Sequence, residues 1–231
     1  MDGRRMDKTT ISIIIKGILF PIILLAVTLL LAGRVDYIQG WIYNILNMVI
    51  LIVTMIVLSN KRDLVEERLK PGEGMKFWDK LYFALSTPMY FIAIIIACLD
   101  SGRFGWTNDL PLAVYIIALT IYIAAQALFL WAKYVNKFLS SVVRIQTERG
   151  HEVCDKGPYR IIRHPSYIAG IVFGLCTPLI LGSLWALIPQ VIAAMMLVVR
   201  TGLEDKTLKN ELHGYNEYAK RTKYRLVPFV W

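Results

Sequence analysis

The longest uncharged stretch of the sequence constrains the fold more than any other feature. Residues 165–199 are 35 consecutive positions without Asp, Glu, Lys or Arg. As a single helix this stretch would be about 52 Å long, whereas a bilayer core of about 30 Å needs only about 20 residues. Gly182 and Ser183 divide the stretch near its middle. We therefore predict a helical hairpin, with Pro178 bending its first arm.

Four further uncharged stretches are candidates for membrane crossings. They cover residues 17–33, 37–60, 81–99 and 110–132. The composition agrees, since 56% of the residues are hydrophobic and only 19% are charged, against about 45–50% and 25% in soluble domains. With the hairpin, the sequence predicts an all-α, polytopic integral membrane bundle of six membrane segments and argues against a soluble globular enzyme.

The net charge of +9 is distributed unevenly along the chain. If the six segments alternate in direction, 24 of the 26 Lys and Arg residues fall on one side of the membrane, and only Arg34 and Arg103 on the other. Short loops rich in Lys and Arg stay in the cytoplasm, so both termini are predicted to be cytoplasmic. The positive charge then faces the membrane lipids of the anionic leaflet, and no nucleic-acid partner is required.

The sequence divides into two unlike halves. Residues 1–110 hold three membrane segments and, apart from Lys16, place no ionisable group inside an apolar stretch. Residues 111–231 hold most of the polar and aromatic residues near predicted membrane boundaries. The tail after Val199 has the apolar periodicity of a helix at the cytoplasmic interface. We expect the chemistry to reside in the second half.

The cysteines predict neither a disulfide framework nor a metal site. They are Cys98, Cys154 and Cys176. They are far apart in the chain, form no CxxC pair, and two of them lie in apolar stretches. We expect small buried hydrophobic side chains at these positions and no metal ion.

Residues 151–170, with the sequence HEVCDKGPYRIIRHPSYIAG, gather polar and aromatic side chains at one predicted membrane edge. Pro165 suits the first turn of the next helix, and the free N–H groups of that turn offer an anion site beside Arg163 and His164. The same segment contributes the aromatic side chains of Tyr159 and Tyr167. The composition alone is also typical of interfacial anchoring, with aromatic and Arg side chains at the headgroups.

A second pair of ionisable residues closes the longest uncharged stretch. Arg200 and Glu204 are four positions apart, so on a helix they face the same side and are able to pair. Arg200 is either an Arg that extends to the headgroups at a helix end or a functional residue that faces the interior of the bundle. Arg144 and Gln146 form a weaker candidate pair after the fourth segment.

These residues together resemble a known family. The string GPYRIIRHPSYIAG is followed by Arg200-x-x-x-Glu204, then by Tyr215, Tyr218 and the string YRLVP. This combination resembles the isoprenylcysteine carboxyl methyltransferase (ICMT) family, which is itself similar to the phospholipid methyltransferases. The resemblance covers about residues 130–231, and the first three membrane segments carry no such motif.

The resemblance implies a membrane-embedded methyltransferase that takes S-adenosylmethionine from the cytoplasm and a lipid-like or prenylated substrate from the bilayer. It implies that Arg200 faces the substrate. It implies cofactor contacts for His151, Glu152, Val153, Cys154, Tyr159, His164, Pro165, Ser166, Tyr167 and Glu204. The position that matches a cofactor-contacting glutamine of the family is Arg144 here, with Gln146 close by as a substitute.

Elementary chemistry agrees with these roles. The cofactor's carboxylate suits the helix start at Arg163 and His164, and its amino or ribose groups suit the carboxylate of Glu204. Its sulfonium suits an aromatic face such as Tyr159 or Tyr167. An acceptor carboxylate is already ionised and needs no general base, and the planar fork of an Arg side chain holds a carboxylate with two hydrogen bonds.

Three alternatives stay open on the sequence. An amine acceptor, as in phospholipid methylation, would need a base such as His164 or Glu204. A reductase of the sterol-reductase type would use NADPH and need extra Arg or Lys side chains for its 2′-phosphate. A membrane scaffold would bind no cofactor. The soluble doubly wound methyltransferase architecture is not supported, since no GxGxxG motif occurs.

Overall fold

A computed structural model of the chain describes residues 8–59 and 74–231. Its helices are α1 (Lys8–Ala32), α2 (Ile38–Leu58), α3 (Phe77–Ala97), α4 (Leu112–Val135), α5 (Pro165–Ile180), α6 (Leu187–Glu211) and α7 (Tyr215–Arg221). A π-helical segment, Cys98–Phe104, extends α3. Within the described ranges there is no β-strand, and one isolated parallel bridge joins Ile162 to Tyr224. The all-α prediction is confirmed.

The helices support an integral membrane protein. Among the described residues, four helical stretches are long and apolar enough to cross a bilayer: Ile38–Leu58, Phe77–Phe104, Leu112–Val135 and Leu187–Glu211. Two further apolar helices, Leu19–Ala32 and Pro165–Ile180, are shorter than this limit. The predicted count of six crossings is therefore supported at four of the six positions.

The predicted hairpin is present in residues 165–211. Helix α5 ends at Ile180, Gly182 adopts a left-handed φ of 81°, and α6 begins at Leu187. The turn is fixed by polar contacts from the N-terminal half. The Tyr37 hydroxyl donates to the Leu181 carbonyl at 2.6 Å, and the Ser183 hydroxyl donates to the buried Asp100 carboxylate at 2.6 Å.

The last membrane helix is longer than the sequence analysis predicted. Helix α6 runs without a break through Val199 and Arg200 to Glu211, so residues 200–211 continue the membrane helix and do not form a separate interfacial helix. Two of their charged side chains point inward, since Arg200 is 6% exposed and Asp205 1%, whereas Lys206, Asn210 and Glu211 are exposed. The helix predicted after Val199 is thus present, partners in other segments, described below, neutralise these two charges, and its place at the cytoplasmic interface stays a prediction.

Candidate functional site

A cavity lies where the linker between α4 and α5 folds over the N-terminal end of α5 and the C-terminal part of α6. Nine of the ten residues predicted to contact a cofactor line this cavity: His151, Glu152, Val153, Cys154, Tyr159, His164, Ser166, Tyr167 and Glu204. The tenth, Pro165, is buried at the start of α5 and does not line it. The fold thus brings together residues that are up to 53 positions apart. Their contact with a cofactor stays a prediction.

The start of α5 is held by the C-terminal segment of the chain. The backbone N–H groups of Arg163 and His164 donate to the carbonyls of Tyr224 and Arg225, each at 2.9 Å. His164 stands at the N-terminal boundary of α5, and Pro165 occupies the first turn as the sequence predicted. This brace fixes the backbone from which the His164, Ser166 and Tyr167 side chains enter the cavity.

Arg163 has a structural role that the sequence analysis did not predict. Its Nε donates to Asp205 Oδ1 at 2.7 Å, and Nη1 donates to the carbonyls of Thr222 and Lys223 at 2.7 and 2.9 Å. Both side chains of the Arg163–Asp205 pair are at most 4% exposed. Asp205 and two carbonyls thus already bind most of its N–H groups, although Arg163 also lines the cavity, and its contact with a cofactor carboxylate stays a prediction.

His164, Tyr167 and Glu204 form a connected wall of the cavity. The rings of His164 and Tyr167 stack with centroids 5.6 Å apart and an interplanar angle of 11°. The Tyr167 hydroxyl donates to Glu204 Oε2 across the α5–α6 contact. A flat aromatic surface beside a carboxylate suits a ligand that carries a cationic centre.

Two buried polar atoms at the cavity have no hydrogen-bond partner among the described residues. They are the Tyr159 hydroxyl and His164 Nε2, on side chains that are each 5% exposed. His164 Nε2 lies 3.6 Å from Asp205 Oδ1, beyond hydrogen-bond distance. Buried polar atoms normally have partners, so this pair fits a ligand that supplies polar groups of its own.

Arg200 does not pair with Glu204 as the four-residue spacing suggested. Its Nε and Nη2 donate to Asp79 Oδ1 and Oδ2 at 2.7 and 3.3 Å, and Nη2 also donates to the Ser141 carbonyl at 2.9 Å. The guanidinium lies over the rings of Tyr82, Phe83 and Tyr167 at 4.7, 4.9 and 5.1 Å from their centroids. Asp79 occupies the Nε–Nη2 edge of the guanidinium, so a substrate carboxylate would have only Nη1 to bind, and the role of Arg200 toward the substrate stays a prediction.

Asp79 is the residue that sequence reasoning missed. It stands in the first turn of α3, is fully buried, and accepts a third hydrogen bond from the Val143 N–H at 2.8 Å. One carboxylate thus joins α3, the linker and α6 behind the cavity. The sequence feature that could have indicated Asp79 is its place as an acidic residue two positions before the uncharged stretch 81–99. Many acidic residues at such positions simply face the headgroups.

The linker contains Arg144, which stands at the position of the family's cofactor-contacting glutamine, and Gln146, which was considered as a substitute. Gln146 is fully buried, does not line the cavity, and uses its amide to bond the Phe138 carbonyl at 2.8 Å. The lining of the cavity therefore gives no support to Gln146 as a substitute for the glutamine of the family. Arg144 does line the cavity and forms an ion pair of 2.8 Å with Glu148.

His151 is held neutral inside the linker. Its Nδ1 accepts a hydrogen bond from the Gln146 N–H at 3.2 Å, and its ring stacks on Phe138 at 4.6 Å. Burial, followed by the charges of Arg144 and Arg149, lowers the pKa of His151 from 6.5 to about 4. At neutral pH the imidazole that His151 contributes to the lining of the cavity is therefore uncharged.

The cavity is closed in this structure. It measures about 70 Å³, whereas small-molecule sites typically measure about 300–1,000 Å³. An exposed ion pair of 2.8 Å joins Lys137 to Glu152 across the linker. A ligand of nucleoside size thus requires part of the linker to move outward. The Lys137–Glu152 pair is an exposed contact at its rim, whereas the Ser141 carbonyl and the Val143 N–H are held by bonds to the buried Arg200 and Asp79.

A comparison with protein families identifies the segment that builds this site. Residues 117–210 match the Isoprenylcysteine carboxyl methyltransferase (ICMT) family, and no curated protein matches the chain. The matched segment contains the linker, α5 and nearly all of α6, and therefore most of the cavity wall. Asp79 lies outside it. Residues 117–210 of this membrane protein are thus similar to the ICMT family, which is a family of methyltransferases.

Proposed function

We propose that this protein transfers a methyl group from S-adenosylmethionine to the carboxylate of an isoprenylcysteine-like or other lipid-like substrate. The observation that carries the proposal is the convergence of nine motif-predicted residues on one cavity beside α5 and α6. The family match supports methyl transfer in a membrane. The choice of cofactor and acceptor is our inference.

The cavity residues suit the polar parts of S-adenosylmethionine. When bound, this cofactor supplies a methyl group activated by a positively charged sulfur. The stacked His164 and Tyr167 rings offer that charge an aromatic face, and Glu204 adds a negative field beside it. The unpartnered Tyr159 hydroxyl is available to the cofactor's polar groups.

The residues around Arg200 suit a carboxylate acceptor. Asp79 fixes the guanidinium through Nε and Nη2, so the remaining nitrogen, Nη1, is left without a hydrogen bond to any described residue. The acceptor oxygen attacks the methyl carbon with its own electron pair, and the electron pair of the broken C–S bond stays on sulfur. No proton moves, so alignment and exclusion of water are the residues' main contributions.

A second candidate, methylation of a phospholipid amine, is favoured by one observation. His164 Nε2 is buried without a hydrogen-bond partner among the described residues, so this nitrogen is the candidate to take a proton from an attacking amine. A carboxylate acceptor does not need this base.

Methyl transfer from radiolabelled S-adenosylmethionine tests the proposal. Detergent-purified protein is given an isoprenylcysteine free acid, its carboxamide, or phosphatidylethanolamine. We expect a base-labile methyl ester on the acid only. Labelling of phosphatidylethanolamine alone would show that the acceptor is an amine. Reduction of a sterol with NADPH would refute both methyltransferase proposals.

Conservative variants separate cofactor binding from acceptor binding. Arg200→Lys keeps a cation for Asp79 but removes Nη1, so we expect S-adenosylhomocysteine affinity to persist while turnover of the acid falls about tenfold or more, as after loss of a charge-assisted hydrogen bond. Glu204→Gln should weaken S-adenosylhomocysteine binding. Loss of cofactor affinity in Arg200→Lys would show that Arg200 acts on the cofactor site.

We also propose that both termini and the cofactor cavity face the cytoplasm, on the strength of the Lys and Arg distribution. Lys223→Cys and Asp36→Cys, each in a Cys154→Ser background, place a thiol at exposed positions on opposite predicted sides. A membrane-impermeant maleimide should label Asp36→Cys on intact cells and Lys223→Cys only after permeabilisation. The reverse pattern would invert the topology.

A further inference from the structure

A second, larger cavity lies among the first four helices, and only its α4 wall falls within the segment that the family match covers. It measures about 440 Å³ and is lined by residues of α1, α2, α3 and α4. Its walls are mostly apolar, with Leu24, Ile50, Leu51, Phe91 and Phe129 among them. It shares no described residue with the lining of the cofactor cavity.

One end of this membrane cavity carries an unsatisfied hydrogen-bond acceptor. The Asn44 side chain is 4% exposed, and its Nδ2 donates to the Gly40 carbonyl at 2.8 Å and to Thr28 Oγ1 at 3.3 Å. Its Oδ1 is buried and has no partner among the described residues. In a bilayer such an atom is costly, because no bulk water is available to bond it.

The neighbouring polar residues do not meet this need. The Tyr122 hydroxyl donates to Asn47 Oδ1 at 2.7 Å, and Gln126 Nε2 donates to the Tyr122 oxygen at 3.2 Å. These bonds are satisfied within the pair of helices α2 and α4. None of the described polar side chains of the lining therefore supplies a donor to Asn44 Oδ1.

The chemistry of the lining selects a neutral donor. The described lining contains no carboxylate, and its one cation, Lys133, lies over the Phe129 ring at the opposite end. An ammonium ligand would thus find no counter-ion deep in the membrane, whereas a hydroxyl group brings one donor and no charge.

The length of the cavity sets the size of the ligand. From Asn44 to Thr54 the cavity follows ten residues of α2, which is about 15 Å at 1.5 Å per residue. Apolar side chains fill the wall between these ends. This shape suits an extended hydrocarbon chain behind the hydroxyl group.

We propose that the cavity between α1 and α4 binds a neutral long-chain alcohol whose hydroxyl group donates to Asn44 Oδ1. The site is separate from the methyl-transfer site. Its ligand is recognised by one hydrogen bond at the deep end and by apolar contact along the chain.

Photolabelling of the detergent-purified protein tests this site. The probe is a dodecanol analogue with a diazirine at the far end of its chain, and its methyl ether is the matched control without a donor. We expect the alcohol to label residues near Thr54 and Leu130 about fivefold more than the ether, as one hydrogen bond implies. Equal labelling by alcohol and ether would overturn the proposal.

Matched variants separate the cavity from the lipid-facing surface. Leu51 lines the cavity, whereas the next residue, Ile52, is 50% exposed and does not. Leu51→Trp fills the space and should reduce labelling about tenfold or more, while Ile52→Trp should keep it within about twofold. In Asn44→Leu the alcohol and the ether should label equally. Persistent labelling of Leu51→Trp would overturn the site.

The outcome does not depend on the methyltransferase proposal. Leu51→Trp should bind S-adenosylhomocysteine as the unmodified protein does, because the two cavities share no lining residue. Failure of S-adenosylhomocysteine to bind to the unmodified protein would refute the proposed cofactor but leave the labelling result intact.

Discussion

The buried Asp79–Arg200 pair gives the sharpest prediction about how the site is held. The two side chains are 0% and 7% exposed, and Asp79 accepts two hydrogen bonds from the guanidinium and one from the linker backbone. Breaking a buried pair by removing one partner costs about 3–5 kcal/mol, because the other charge is left uncompensated. Asp79→Asn keeps the shape, so we take the lower end, about 3 kcal/mol.

The assay is thermal unfolding in detergent. At roughly 2–4 °C per kcal/mol for a chain of this size, Asp79→Asn should lower the Tm by about 6–12 °C. Asp36→Asn is the matched control, because Asp36 also pairs with an Arg at 2.8 Å but is 75% exposed. An exposed pair contributes only about 0–1 kcal/mol, so the control should change the Tm by less than about 4 °C.

A double-mutant cycle confirms that the loss comes from the uncompensated charge. Asp79→Leu combined with Arg200→Met removes both charges, and the double variant should be more stable than Asp79→Leu alone. Equal Tm values for Asp79→Asn and Asp36→Asn, or additive losses in the double variant, would refute the assignment of Asp79 as the residue that compensates Arg200.

Two further predictions concern the hairpin turn and the linker. Gly182→Ala should lower the free energy of unfolding by about 1–3 kcal/mol, because φ is 81° and a Cβ would lie 2.9 Å from the Tyr115 hydroxyl. Gly105→Ala is the control: φ is 65°, but a Cβ would meet no atom within 4 Å, so its loss of Tm should be smaller. His151, with its pKa lowered to about 4, binds a proton between pH 4 and 6.5 only when unfolded. Stability should therefore fall by about 1–2 kcal/mol, allowing for partial exposure, as pH drops through that window, and the Tm of His151→Phe should lose this dependence.

Much of the fold was predictable because the positions of the membrane helices follow from the lengths of the uncharged stretches of sequence. The hairpin turn falls where Gly182 interrupts the 35-residue stretch, since only glycine readily adopts the left-handed conformation there. The motif residues also share a cavity, because the segment 151–167 and Glu204 are joined through the α5–α6 contact.

The partners of the buried charges were not predictable from spacing. Arg200 pairs with Asp79, 121 positions away, and not with Glu204 one helical turn along. Arg163 pairs with Asp205 and donates hydrogen bonds to backbone carbonyls of the C-terminal segment. Such pairings depend on which helices meet in space, and a local pattern within one helix carries no information about that.

Calorimetric titration of the detergent-purified protein with S-adenosylhomocysteine tests the central claim most directly. We expect saturable binding that weakens in Tyr159→Phe, because the phenyl ring keeps the packing but removes the unpartnered hydroxyl, and no comparable binding of NADPH. Absence of S-adenosylhomocysteine binding by protein that unfolds cooperatively, or equal binding by Tyr159→Phe, would contradict the assignment of this cavity as the cofactor site.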